Sequence, residues 1–278
     1  MACVMLCWIV AAGHAQDPTS SSNPRQGEDS PEGAELAAAQ IQFYSGRYEA
    51  AAATALAQIR ADSPSLWAHE LRSTALLFQI KRLIPLDTPD KGRALRECTT
   101  CADLIAAFEA ATRAGLDAAR GILKADAANI DAQFVLGKLD LNHVWLYLGT
   151  LGRKTGWNEY WEGRRAIEAV LAREPNHLRA RVAWAWIDYI VATKMAPGTR
   201  WILGGGNKKR AMAAMRDATA HNDDSFAGVE ARFAVWDLHV REKNVDGALR
   251  AAHALAKEFP ENPDILAFLD KHDRSAKP

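Results

Sequence analysis

The chain has one pair of closely spaced cysteines beyond its apolar N-terminus, Cys98 and Cys101. A c-type haem site would need histidine directly after the second cysteine, where Ala102 stands. Zinc would need two further ligands, and the chain has no second cysteine pair. A thioredoxin-like redox pair would need a strand–helix context, which is absent. We therefore predict no metal or cofactor here but a local Cys98–Cys101 disulfide; a reactive redox pair and two free thiols are the alternatives.

Residues 204–210 read Gly-Gly-Gly-Asn-Lys-Lys-Arg. Glycine-rich turns expose backbone N–H groups, and a helix N-terminus attracts anions. Three cations in the first turn oppose the helix dipole, so an acidic ligand would stabilise them. The spacing and the Ser or Thr of a Walker loop are missing. The alternative is a tight turn between helices, with an asparagine cap and solvated basic side chains. The anion-binding candidates are Gly205, Gly206, Asn207, Lys208 and Lys209.

Six of the nine tryptophans lie between Trp145 and Trp201. Aromatic side chains in such numbers can form a cage for a cation or a groove on which a sugar stacks. The alternative is a core packed with large side chains. The cage candidates are Trp157, Trp161, Trp184 and Trp186.

Two carboxylates, Asp140 and Asp188, fall within apolar stretches. A catalytic acid–base couple would need a cleft that the pattern does not reveal, and a polar residue in such a stretch usually pairs with a neighbour such as an arginine. No His-Glu-x-x-His, Gly-x-Ser-x-Gly or Gly-x-Gly-x-x-Gly sequence occurs. We therefore predict that the protein is not an enzyme.

Helices must position these residues, because Ala, Leu, Arg, Glu and Lys dominate and no long segment shows strand alternation. Apolar residues at steps of three and four, interrupted by Gly and Pro, predict an all-α fold of about five antiparallel helix pairs and a C-terminal capping helix. The second pair is interrupted at 84–100, where Pro85, Pro89 and Gly92 oppose a continuous helix. The predicted pairs occupy residues 31–61, 65–125, 129–173, 179–220 and 226–259, and the cap occupies 263–271.

Small residues and prolines recur at fixed places in these pairs. The first pair has Ala39, Gly46, Tyr48 and Ala51, followed by Pro64. This pattern resembles the tetratricopeptide repeat, and the exported form described below is similar to bacterial periplasmic repeat proteins such as the T component of tripartite ATP-independent periplasmic transporters. The resemblance implies a solenoid with small residues where helices cross, for example Gly137. The fifth pair shows the pattern at Ala248, Ala252 and Pro260.

The resemblance implies a scaffold that binds a protein or peptide on a concave face formed by the first helix of each pair. The alternative is a small-molecule-binding accessory component of a transporter, with its ligand in the tryptophan-rich middle. The groove-facing candidates for partner binding are Lys138, Asn142, Arg179, Trp186, Glu230, Asp237 and Arg241.

Charge and the N-terminus bear on compartment and partners. The 34 Lys and Arg residues balance the 34 Asp and Glu residues, which argues against nucleic acid as a partner. Residues 1–15 are apolar and end in small residues, which predicts a signal peptide and export to the periplasm or cell envelope. Residues 16–31 are predicted as a flexible linker, 32–273 as the helical domain and 274–278 as a tail. No membrane span is expected after the signal is removed.

Overall fold

The computed structural model of the protein describes residues 31–60, 65–84, 88–153, 155–220 and 225–273. Within these ranges every regular element is a helix and no strand occurs, which confirms the all-α class. The predicted signal peptide, linker and tail lie outside the described residues, except that α1 begins at Pro31. The helices are α1 Pro31–Tyr44, α2 Tyr48–Ile59, α3 Leu66–Leu83, α4 Lys91–Glu97, α5 Cys101–Ala125, α6 Ile130–Val144, α7 Trp157–Arg173, α8 Leu178–Lys194, α9 Pro197–Arg200, α10 Lys208–Ala220, α11 Phe226–Arg241, α12 Val245–Glu258 and α13 Pro263–Asp273.

Side-chain caps set the start of several helices. At each, the cap side chain accepts a hydrogen bond from the amide three residues later, at 2.9–3.3 Å. Each bond satisfies one backbone donor that the helix cannot pair internally, which typically contributes about 1 kcal/mol. The helix boundaries are therefore encoded locally. The residues are Asn129 for α6, His177 for α8, Asn207 for α10, Ser225 for α11 and Asn244 for α12.

Two segments predicted as irregular contain short helices. The interrupted stretch 84–100 holds α4, which starts at an Asp90 cap, includes Gly92 and has an Arg93–Glu97 ion pair of 2.7 Å one turn apart. The loop after α8 holds the four-residue α9, with Pro197 at its first position, where the missing N–H of proline has no cost. Beyond α6, the chain continues as a π-helical turn at Trp145–Thr150.

The long helices pack in chain order. Each contacts the next long helix along the sequence, and α3 also contacts α1 and α6, while α8 also contacts α11. The closest crossing joins α6 and α7: a Cβ built on Gly137 would lie 3.1 Å from the Gly163 carbonyl oxygen and 2.9 Å from the Ile167 side chain. Glycine at this position is thus needed for close backbone approach, as the sequence predicts for Gly137.

The two ends of the helical array meet. The Tyr44 ring at the end of α1 lies 4.8 Å from the Phe233 ring of α11 and 5.8 Å from the Phe259 ring after α12. The Asn262 amide donates to the Tyr44 carbonyl at 2.7 Å, and Arg82 pairs with Asp264 at 2.9 Å. The interior between the first helices of the pairs is therefore bounded by both ends of the helical array.

Candidate functional site

Four charged residues from four different helices meet in the interior, and we call them the inner polar cluster: Glu70 of α3, Lys138 of α6, Arg179 of α8 and Glu230 of α11. Arg179 donates to Glu70 at 2.9 Å and to Glu230 at 2.5 Å, and Lys138 donates to Glu230 at 2.8 Å. Two cations balance two carboxylates. The cluster is thus internally neutral, and it ties together helices that are far apart in sequence.

The surroundings strengthen this pairing. Burial alone would raise the pKa of Glu230, but Arg179 and Lys138 outweigh it and lower the pKa to about 2. Burial opposes the charge of Arg179, but Glu230 and Glu70 raise its pKa well above the usual value. The Arg179 guanidinium also lies 4.8 Å from the Phe134 ring centre and 5.0 Å from that of Phe226. Arg179 and Glu230 are therefore ionised at neutral pH.

The other residues predicted to face a partner also lie inside and have partners within the protein. Asn142 donates to the Thr74 hydroxyl at 3.0 Å. Arg241 donates to Asp237 at 3.0 Å and lies 5.3 Å from the Trp186 ring centre. The sequence pattern thus brings all seven candidates to helices that bound the interior. Their role in binding a partner stays a prediction.

The glycine-rich segment forms a tight turn against α8. A Cβ built on Gly206 would lie 2.5 Å from the Ala192 amide nitrogen and 2.8 Å from the Asp188 carbonyl oxygen, so only glycine fits. Of the basic residues that follow, Lys208 pairs with Glu242, and Arg210 binds both carboxylate oxygens of Asp188 at 2.7 and 2.9 Å.

These pairs bear on the anion-binding candidates of this turn, Gly205, Gly206, Asn207, Lys208 and Lys209. The side chain of Asn207 accepts a bond from the Arg210 amide and caps α10, as the alternative interpretation expects. Glu242 and Asp188 already compensate the cations that oppose the helix dipole. An added anion is therefore not required to stabilise the start of α10.

The cysteine pair joins the short α4 region to α5. Cys98 and Cys101 form a disulfide with a Cα–Cα distance of 5.4 Å. Cys101 is fully buried at the first position of α5, against the core that α1–α3 form. The bridge anchors the end of α4 to the start of a 25-residue helix.

The two buried aspartates have different surroundings. Asp188 is paired with Arg210, whereas both carboxylate oxygens of Asp140 are buried without a hydrogen-bond partner. Burial, and then the charge of Glu162, raises the pKa of Asp140 to about 8. Asp140 is therefore largely protonated at neutral pH, which reduces the cost of burying it.

The tryptophans proposed for a cage do not converge on one point. Trp184 stacks near Arg164 of α7, whereas Trp186 lies on the opposite side of α8, near Arg241 of α11. Trp161 is half-buried and lines a shallow surface groove along α7, and Trp157 is exposed at the first position of that helix.

Three exposed apolar residues flank the contact between the loop after α9 and the first turn of α7, and we call them the apolar patch: Trp157, Trp201 and Ile202. Trp201 is 76 % exposed, and the other two are about half exposed. The Tyr160 hydroxyl donates to the Leu203 carbonyl at 2.8 Å, which holds the loop after α9 against the first turn of α7. Because Trp157 precedes Tyr160 by three residues, it lies on the same face of α7. The adjacent Trp201–Ile202 pair in a Pro/Gly-containing loop is the signal by which the sequence could have indicated this surface.

Within the described ranges, no group of three His, Cys, Asp or Glu side chains is placed to hold a metal ion. Among the described helices, none is both long and apolar enough to cross a membrane. No family model matches the chain, and neither a curated protein nor a solved structure is significantly similar to it.

Proposed function

We propose that the protein is a non-enzymatic helical-repeat scaffold of the tetratricopeptide type that binds a protein partner in the periplasm or cell envelope. The order of the helices supports this proposal, since long helices follow one another as packed neighbours. Three of the four contacts expected between first helices of successive repeats are present, α1 with α3, α3 with α6 and α8 with α11, whereas α6 and α8 make no comparable contact.

The apolar patch is the observation that carries the proposal. Large exposed hydrophobic residues that cluster on one surface mark interaction sites, whereas single ones are ordinary. Tryptophan is also among the residues that dominate protein–protein binding energy. By contrast, the charged candidates of the interior are engaged with one another. The patch is therefore the better candidate for the first contact with a partner.

Charged residues of both signs accompany the patch in the sequence. Lys194 precedes the exposed loop, Lys209 follows it, and both are exposed, whereas Glu159 lies two residues after Trp157 in the first turn of α7. A partner surface with an apolar centre and polar residues of both charges around it would complement this arrangement.

Two observations support the proposed compartment. A disulfide such as Cys98–Cys101 persists in an oxidising environment, including the bacterial periplasm. The segment 1–15 has the apolar run and the small-residue ending of an export signal, although no Lys or Arg precedes the apolar run.

Quantitative affinity capture from an envelope extract tests the proposal. We expect the wild-type protein to retain a defined partner and W201S/I202S to retain at least tenfold less of it. The matched control is I41S, which replaces an exposed isoleucine of α1 away from the patch. Equal capture by all three proteins would refute the role of the patch. If the wild-type protein binds anionic lipid vesicles and retains no protein from the extract, the partner is a membrane surface rather than a protein.

A specific observation also supports the second candidate function, the binding of a small molecule. An open groove of about 340 Å³, which we call the cavity, lies in the tryptophan-rich middle of the chain, between α7, α8 and α10.

A further inference from the structure

We propose that the cavity between α7, α8 and α10 binds a small organic carboxylate with an apolar body, whose charged end is held by Arg181 and Arg210. This site is separate from the apolar patch and does not depend on the scaffold function. Its volume of about 340 Å³ is at the small end of the range for ligand pockets, about 300–1,000 Å³.

The charges that line the cavity favour an anion. Arg181, Arg210 and Asp188 are the charged residues of its lining, which leaves one net positive charge. Asp188 is 1 % exposed and accepts hydrogen bonds from Nε and Nη2 of Arg210. Because a guanidinium has five N–H donors, the two on Nη1 of Arg210 remain for a ligand. Asp188 thus fixes the orientation of Arg210 without using all of its donors.

A third guanidinium adds positive potential next to the cavity. Arg164 of α7 is only 9 % exposed, and its Nη1 atom is buried without a hydrogen-bond partner. Its Nη2 atom makes one long hydrogen bond of 3.4 Å to the Gly204 carbonyl. A buried cation with an unsatisfied donor is costly unless a negative charge comes near. Arg164 does not itself line the cavity, but it stacks on Trp184, which does, so a carboxylate bound there would act on its charge through space rather than by contact.

The rest of the lining is apolar and favours a ligand whose uncharged part is apolar as well. Trp184 lines the cavity, and its ring centre lies 4.4 Å from the Arg164 guanidinium carbon. The remaining lining side chains offer no hydrogen-bonding groups, so a polar or strongly hydrated anion such as free phosphate would lose hydration there without compensation. An aromatic or medium-chain carboxylate fits both parts of the site. These apolar residues are Leu171, Pro175, Ala185 and Ala214.

Isothermal titration calorimetry with naphthoate as the probe tests this site. We expect saturable binding to the wild-type protein and at least tenfold weaker binding of naphthalene carboxamide, which has the same body without the charge. R181Q and R210Q should each weaken naphthoate binding at least tenfold. Asp188 is 1 % exposed and pairs with Arg210, so R210Q leaves a buried carboxylate without its cation. D188N/R210Q, compared with D188N, keeps the test valid if R210Q does not fold. R216Q, at an exposed position of the same helix, is the matched control and should bind as the wild type does.

Three results would overturn the proposal. They are the absence of binding at about 10 mM naphthoate, equal affinity for the acid and the amide, and unchanged affinity in R210Q. Loss of partner capture in W201S/I202S with unchanged naphthoate binding would show that the two sites are independent. Failure of one proposal therefore does not decide the other.

Discussion

Replacing Arg179 by methionine tests whether the inner polar cluster holds the helices together. Methionine replaces the apolar stem of the arginine side chain but removes the cation that pairs with Glu70 and Glu230. Glu230 would retain Lys138, whereas Glu70 would retain only the hydrogen bond from the Thr74 hydroxyl. The carboxylate of Glu70, whose side chain is 4 % exposed, would then be buried without a balancing charge.

The expected loss is large. Removing one partner of a buried ion pair typically costs about 3–5 kcal/mol, because the remaining charge stays buried. Whole domains are stable by only about 5–15 kcal/mol, so the R179M variant should be close to unfolding. The additional change Glu70→Gln removes the uncompensated charge, and E70Q/R179M should therefore recover at least half of the lost stability.

Urea unfolding followed by circular dichroism measures these free energies. The matched control is R93M, which breaks the exposed pair of Arg93 with Glu97 and should cost no more than about 0.5 kcal/mol. A loss below about 1 kcal/mol in R179M, or no recovery in E70Q/R179M, would refute the reasoning that an uncompensated buried carboxylate dominates.

Three further predictions concern packing and pH. G206A should destabilise the protein by about 1–3 kcal/mol, because the new methyl group meets backbone atoms, whereas G198A, which meets nothing within 4 Å, should lie within about 0.5 kcal/mol of the wild type in urea unfolding. Burial raises the pKa of Asp140 to about 8, so between about pH 4 and pH 8 the folded state holds a proton that the unfolded chain releases. The contribution of Asp140 to stability should therefore fall by up to about 1.4 kcal/mol per pH unit as the pH rises from about 4 to about 8. Equal pH slopes in the wild type and D140N would contradict this. Burial, assisted by Arg179, lowers the pKa of His177 to about 4, so the contribution of His177 to stability should fall as pH drops from about 6.5 to about 4, opposite in sign to that of Asp140. H177N keeps a capping acceptor, so its stability should gain on that of the wild type over this range, and a constant difference between the two proteins would be the contrary result.

The sequence predicts the helices well because their signals are local. The caps at Asn207 and Asn244 and the apolar steps of three and four act within one or two turns. The short α4 and α9 were missed because Gly92 and Pro197 normally oppose helices, and here a cap at Asp90 and the first-turn position of the proline permit them.

The site was less predictable because its contacts are remote in sequence. Arg179 meets Glu70 across 109 residues and Glu230 across 51, and no local pattern specifies such partners. The contact between the two ends of the helical array likewise joins Tyr44 and Asn262 across 218 residues. The sequence predicted groove-facing residues, a role that stays a prediction, but it could not predict that Arg179, Lys138 and Glu230 pair with one another.

Site-specific photocrosslinking tests the proposed docking surface most directly. A benzophenone amino acid replaces either Trp201, in the apolar patch, or Trp186, beside Arg241 in the interior, and the protein is irradiated in an envelope extract. We predict a discrete crosslinked product from position 201 and none from position 186. A product from position 186 alone would place the partner on the interior face and contradict the account.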